Sequence, residues 1–124
     1  MSKFVKVRTE LRNVELVKRA LDDLRLVYEE NARYHHLFSG SSEVAALVVR
    51  APEGVFGLKP DAQGALVIMG DSMQLAGVRQ TLQQIQQRYA YHMVVQETAR
   101  AGFAVVEEQT GRDQVIRMTV RRWG

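Results

Sequence analysis

The chain has 124 residues, a formal net charge of +3, 46% hydrophobic residues and 25% charged residues, values typical of one globular domain with an apolar core. It contains no cysteine, which excludes disulfides, thiolate-bound metals and cysteine nucleophiles. No apolar run approaches the roughly 18 residues of a membrane-spanning helix, and the N-terminus lacks the apolar stretch of a signal peptide. We therefore expect a single domain over residues 1–124, in the cytoplasm and without a membrane partner.

The first third of the chain predicts a strand, a helix and a second strand. Residues 3–10 alternate between apolar and polar side chains, a period typical of a strand with one face on a core. Asn13 suits the N-cap of a helix whose apolar residues recur at helical spacing from Val14 to Leu24. A short strand is expected at residues 26–30, and the irregular stretch 32–42 is interpreted as a loop that could include a short extended piece.

The middle of the chain predicts a three-stranded meander followed by a long helix. The strands are expected at residues 44–50, 55–58 and 65–69, separated by turns rich in proline and glycine. A helical period then holds from Met73 to about Arg100, with a glutamine-rich outer side.

The end of the chain predicts a hairpin, with strands at residues 103–108 and 114–122. The resulting order is β-α-β-β-β-β-α-β-β. Runs of strands between only two helices favour the α+β class over α/β. We expect a mostly antiparallel, twisted sheet with both helices packed on one face, broadly of the ferredoxin-like kind.

The most distinctive segment of the sequence is Gln87–His92, which reads QRYAYH. Two further distinctive segments are Gly102–Glu108 and the terminal Val120–Trp123. With Met1–Phe4 and Glu10–Asn13, these segments resemble a family of small uncharacterised proteins from cyanobacteria, plastids and other bacteria. In plastid genomes it is hypothetical reading frame thirty-five. The resemblance spans nearly the whole chain and implies no established activity, so it supports the fold more than any function.

Basic side chains on the first and last strands are one candidate interaction face. Lys6 and Arg8, and Arg117 and Arg121, point away from the core by period-two reasoning, and Trp123 follows the last strand. If the two strands are neighbours, these residues form a basic stripe that could hold phosphates and stack a base, or dock a protein. A solvated face with acidic neighbours is the simpler interpretation.

Three aromatic residues on the long helix form a candidate polar patch. Tyr89, Tyr91 and His92 cluster there, with Tyr89 and His92 three residues apart on one face. They could orient a ligand or a partner side chain. The alternative is that they fix the helix against the rest of the domain.

Histidines and serines supply the remaining candidates. The histidines are His35, His36 and His92, and Glu29 or Glu30 could complete a metal site with them. Adjacent residues on a strand point to opposite faces, however, and no HExxH-type spacing is present. Ser39, Ser41 and Ser42 could act as nucleophiles near His35 or His36, although such proximity is commonplace in a polar loop.

Together these features favour a non-catalytic accessory or adaptor protein that acts through protein–protein contacts and self-associates. A nucleic-acid-binding module that uses the basic face is the first alternative. A small-molecule or metal-binding protein is the second. The sequence implies no cofactor, and it favours a non-catalytic protein over an enzyme.

Overall fold

The computed structural model describes residues 2–113 and 115–122, with the backbone alone for residues 104–107. Its first half contains β1 (Phe4–Arg8), α1 (Val14–Asp23), β2 (Val27–His35), β3 (Ser42–Ala51) and β4 (Gly54–Pro60). Its second half contains β5 (Leu66–Asp71), α2 (Ser72–Gly77), α3 (Arg79–Arg100), β6 (Phe103–Thr110) and β7 (Ile116–Arg122). The predicted α+β class is confirmed.

The strands form two antiparallel sheets. Five strands pair in the order β1-β5-β4-β3-β2, and β6 pairs with β7 in a sheet of its own. The predicted order of elements is confirmed in broad terms, with two differences. The long helix divides at Val78 into α2 and α3. Strand β2 extends to His35, so the predicted loop over residues 32–42 is wrong for its first part, because this segment pairs with β3.

Helix α1 forms where its pattern predicts. The Asn13 side chain accepts a hydrogen bond from the Leu16 N–H at 3.2 Å, and Glu15 lies in the first turn, where a carboxylate suits the helix dipole. Leu16, Val17, Ala20 and Leu21 of this helix are buried in the main core, and Ile85 and Tyr89 of α3 belong to the same core. The largest buried side chains of this main core include Leu21, Leu47, Phe56, Leu58, Leu66 and Ile85.

The opposite face of the sheet carries a second, smaller core. Tyr34, Val48 and Met69 are buried there, and Phe4 packs against them. The Phe4 and Tyr34 rings stack with centroids 6.0 Å apart, although they belong to the two edge strands. The sheet therefore curls until its edges meet at one end, and this contact places the site described next.

Candidate functional site

A hydrogen-bonded chain of three side chains lies where the edges of the curled sheet meet. His36 follows β2, and its Nε2 lies 2.7 Å from Oδ1 of Asp71, the last residue of β5. The other ring nitrogen, Nδ1, lies 2.6 Å from the Ser39 Oγ. His36 and Asp71 are buried, with exposed fractions of 3% and 4%, whereas Ser39 is exposed. The chain thus runs from a buried carboxylate to a surface hydroxyl.

The turn between β2 and β3 positions both ends of the imidazole. The His36 N–H donates to the Ser41 carbonyl at 2.8 Å, and the Gly40 N–H donates to the His36 carbonyl at 2.9 Å. Gly40 has a φ of 70°, a left-handed conformation that glycine adopts without strain. The Ser41 N–H also donates to the Ser39 Oγ at 3.1 Å. Residues 36–41 are therefore held as one tight turn.

Asp71 holds the imidazole and begins α2 with the same carboxylate. Its Oδ2 accepts from the backbone N–H groups of Met73 and Gln74, at 3.0 and 3.2 Å, which makes Asp71 the N-cap of α2. The hydrogen bond from His36, together with these backbone donors, holds the pKa of Asp71 below its usual value of 3.8 despite the opposing effect of burial. The carboxylate is therefore ionised at neutral pH.

The ionised carboxylate determines the tautomer of His36. A carboxylate oxygen only accepts hydrogen bonds, so Nε2 must carry the hydrogen that faces Asp71. In the neutral ring this leaves a lone pair on Nδ1, which faces the Ser39 hydroxyl and the Ser39 N–H at 3.2 Å. The Ser39 hydroxyl can then donate its hydrogen to the ring.

A cavity of about 270 Å³ opens beside this chain of hydrogen bonds. Its lining residues are Arg33, Tyr34, His35, His36, Leu37, Phe38, Val48, Arg50, Val55, Asp71 and Gln74. The basic side chains of Arg33 and Arg50 are on its wall, and Arg50 is paired with Glu29 at 2.9 Å. Asp71 is the sole carboxylate among the lining residues and already faces His36. The cavity is thus partly apolar and carries a cationic rim.

The predicted basic face is not assembled as one stripe. Lys6 and Arg8 lie on β1 and Arg117 and Arg121 on β7, and these strands belong to different sheets. Within the described part of the chain, Lys6 pairs with Glu43, Arg8 with Asp61 at 3.3 Å, and Arg117 with Asp113 at 3.0 Å. Trp123 lies outside the described residues. The condition for a shared stripe, that the two strands are neighbours, is not met.

The three residues of the predicted polar patch contact different partners. The Tyr89 hydroxyl accepts from the backbone N–H groups of Arg12 and Asn13, just before α1. His92 Nε2 lies 2.6 Å from the Asp23 carboxylate at the other end of α1. Tyr91 packs its ring edge-on against His92, with centroids 5.1 Å apart. These contacts join α3 to both ends of α1 and do not converge on one cavity.

Asp23 is the charged centre of that second contact. It accepts from Arg88 at 2.9 Å as well as from His92, and the Arg88 guanidinium lies 4.2 Å from the centre of the Tyr91 ring. Partial burial raises the pKa of the Asp23 carboxyl, but the hydrogen bonds from His92 and Arg88 outweigh burial and hold the pKa below its usual value.

Among the three histidines, only His36 is buried beside a carboxylate. His35 is exposed at the cavity, and His92 lies on α3. Over residues 2–113 and 115–122, no three histidine or acidic side chains are grouped as a metal site would need. Sequence reasoning noted Ser39 near His36 but named Asp71 in none of its candidate sites. Thirty-five residues separate His36 from Asp71, so no local pattern could pair them.

Comparison with known proteins agrees with the resemblance drawn from the QRYAYH segment. The family described as Protein of unknown function (DUF1257) matches residues 20–119. The chain belongs to this family. It is 27% identical to the "Uncharacterized protein ycf35" of Cyanophora paradoxa over 126 aligned residues, covering 99% of this chain and 98% of that protein. It is 23% identical to the protein of the same name from Pyropia yezoensis, with the same coverage.

Neither the description of the family nor the names of these two relatives state an activity. No solved structure matches the chain significantly. None of the helices in the described residues is long and apolar enough to cross a membrane.

Proposed function

We propose that this DUF1257 protein is an accessory protein that binds a protein partner through the turn between β2 and β3. The observation that supports this is the exposure of two adjacent large apolar side chains at the tip of the turn. Leu37 and Phe38 are 91% and 80% exposed, and we call them the apolar tip. Single exposed apolar residues are ordinary, but two together on a protruding turn beside a cavity are typical of a binding surface.

Hydrogen bonds fix the residues on both sides of the apolar tip. Its flanking residues, His36 and Ser39, are joined to each other, and His36 is joined to Asp71. The Phe38 ring lies 6.1 Å from the His36 ring, which itself lies 5.7 Å from Phe4 in the second core. A preorganised apolar anchor loses little conformational entropy on binding, which favours affinity.

The rim of the cavity indicates the charge of the partner. Arg33, His35 and Arg50 line the same cavity as the apolar tip, and the single carboxylate among the lining residues is paired with His36. An apolar side chain of the partner would occupy the cavity, and acidic groups beside it would meet the basic rim. Complementary charge of this kind raises the association rate and favours one partner over others.

A double substitution of the apolar tip tests the proposal. Leu37→Ser with Phe38→Ser removes the two exposed side chains, and exposure means that the fold should survive. The matched control is Val27→Ser with Met73→Ser, which removes apolar residues that are 64% and 68% exposed elsewhere. Each tagged protein is purified from its native host at moderate salt, with mass spectrometry and light scattering of the eluate.

The proposal expects one stoichiometric protein partner, or a second copy of this chain, with the unaltered and control proteins. It expects that partner to be lost from the apolar-tip variant while circular dichroism is unchanged. Retention of the partner by that variant would show that another surface binds it. Loss in Arg117→Glu with Arg121→Glu instead would assign binding to β7. Recovery of nucleic acid that dissociates steeply with salt would favour the nucleic-acid alternative.

A further inference from the structure

We propose that Ser39 is a nucleophile, with His36 as its general base and Asp71 as the residue that positions the base. The substrate class is a small carboxylic ester that carries a negative charge. The proposal rests on the geometry of three side chains: 2.6 Å from the Ser39 Oγ to His36 Nδ1, and 2.7 Å from His36 Nε2 to Asp71 Oδ1. A hydroxyl, an imidazole and a buried carboxylate in this order are the groups that activate serine for acyl transfer, here with the two ring nitrogens exchanged relative to the serine-protease triad.

The hydroxyl–imidazole contact is one of several contacts that close the turn. Two backbone hydrogen bonds, from the His36 N–H to Ser41 and from the Gly40 N–H to His36, already close it. Burial of an imidazole against a carboxylate 35 residues away does not follow from turn formation. It does orient Nδ1 towards the hydroxyl, which is what a general base requires.

The reacting hydroxyl is accessible, and the cavity lies next to it. The three residues that precede Ser39, which are His36, Leu37 and Phe38, line the cavity, whereas Ser39 itself lies outside the lining. Ser39 is exposed, whereas the base and the carboxylate behind it are buried. Arg33 and Arg50 on the cavity wall, the latter shared with Glu29, would attract an anionic group, and the exposed Leu37 and Phe38 offer an apolar surface to the rest of a small acyl chain. This combination is the reason for assigning a small anionic ester rather than a long neutral one.

Besides the ester, water is the only reagent that the reaction needs. The Ser39 Oγ attacks the ester carbonyl carbon, and its proton passes to His36 Nδ1. The bond from the carbonyl carbon to the alkoxy oxygen breaks, and the alcohol leaves with that proton. Water then attacks the acyl–Ser39 ester, His36 again takes and returns the proton, and the carboxylic acid leaves. Asp71 stays ionised throughout and stabilises the protonated ring.

The absence of cysteine allows a direct test of the base. Ser39→Cys introduces a single thiol next to His36, and Ser41→Cys introduces a control thiol two residues away in the same turn. The rate of alkylation by iodoacetamide is measured from pH 5 to 10, and the plateau at high pH corrects for differences in access. A thiol beside a base titrates well below the ordinary value of about 8.5. We expect a midpoint at least about one pH unit lower for Ser39→Cys than for Ser41→Cys.

Asp71→Asn in the Ser39→Cys background tests the positioning residue. Asparagine retains an acceptor for the start of α2, so the fold is expected to persist, as circular dichroism would show. Loss of the carboxylate should move the alkylation midpoint back towards that of Ser41→Cys. A purely structural role for Asp71 would leave the midpoint unchanged, and equal midpoints for the two single cysteine variants would overturn the proposal.

The unaltered protein supplies the test of acyl transfer. A fluorophosphonate probe should add once to the protein, as intact mass would show, with loss of the adduct in Ser39→Ala and retention in Ser41→Ala. Mono-p-nitrophenyl succinate should be hydrolysed at least about tenfold faster than p-nitrophenyl acetate if the arginines attract the anion. An adduct that persists in Ser39→Ala, or no adduct at all, would refute a nucleophilic serine. Equal rates for the two esters would refute the assigned substrate class.

Discussion

Replacing Tyr89 by phenylalanine removes one oxygen atom that joins α3 to the start of α1. The Tyr89 hydroxyl accepts from the backbone N–H groups of Arg12 and Asn13 at 3.1 and 3.2 Å, and the side chain is only 8% exposed. A neutral hydrogen bond contributes about 1 kcal/mol to stability, and a buried donor left without a partner costs about 1–3 kcal/mol. Because both donors are partly buried, we expect Tyr89→Phe to lower the free energy of unfolding by about 1–3 kcal/mol.

Urea unfolding followed by circular dichroism measures this loss. The midpoint should fall at unchanged slope, and the melting temperature should fall by about 4 °C for each kcal/mol in a domain of this size. Hydrogen exchange gives a local check, since the amides of Arg12 and Asn13 should lose protection more than those in the middle of α1.

Tyr28→Phe is the matched control. The Tyr28 hydroxyl donates to the Asp22 carboxylate at 3.1 Å on the exposed side of the domain, so its removal should cost less than about 0.5 kcal/mol. If Tyr89→Phe costs no more than Tyr28→Phe, the hydroxyl does not support the start of α1, and the structural role assigned to Tyr89 is refuted.

Three other substitutions test contacts elsewhere in the domain. Gly57→Ala should destabilise the fold by about 1–3 kcal/mol in urea unfolding, because a Cβ there would lie 2.9 Å from the Met69 side chain in the second core. Asp71→Asn should flatten the acid side of the stability–pH curve. The pKa of Asp71 is lower in the folded protein than its usual value of 3.8, so the ionised carboxylate stabilises the fold fully above pH 3.8. That stabilisation is lost as the pH falls through the lower folded pKa. The difference between the two proteins should therefore shrink below about pH 4, and a constant difference would contradict the coupling to His36. Asp23→Ala should cost about 0.5–1 kcal/mol at low salt and less at 1 M salt, because its ion pairs are partly exposed.

The two proposals for the turn are separable by experiment. Partner binding depends on the apolar tip, whereas nucleophilic reactivity depends on Ser39 and the two buried groups behind it. Ser39→Ala removes the hydroxyl and its contact with His36, but it keeps the Leu37 and Phe38 side chains and the two backbone hydrogen bonds of the turn. A protein that binds its partner with Ser39→Ala but fails to react with a fluorophosphonate would show that the two properties are independent.

The local elements were predictable because their signals are local. The Asn13 cap and the apolar spacing of α1 depend on residues within about three turns of each other, and the alternation of β1 depends on neighbours two apart. The α+β class followed from the order of these elements. The extension of β2 to His35 was missed because its polar residues carry little strand signal, and pairing with β3 supplies the stabilisation instead.

The placement of the candidate functional side chains depended on contacts between residues that are far apart in the sequence. The sequence identified Lys6, Arg117, Tyr89 and His92 as candidates from periodicity, but it could not tell which strands are neighbours. The hairpin of β6 and β7 forms its own sheet, which separates the basic residues of β1 from those of β7. Each of these assignments requires the spatial order of strands, which short-range patterns do not encode.

By itself, the sequence determined the class of the fold, the helix and strand periods, the absence of thiol chemistry and the family. Only the tertiary structure decided that Asp71 meets His36 and that Leu37 and Phe38 lie exposed beside a cavity. The physical reason is the curl of the five-stranded sheet. It joins residues at opposite edges through the stacking of Phe4 on Tyr34 and the burial of one hydrogen-bonded carboxylate.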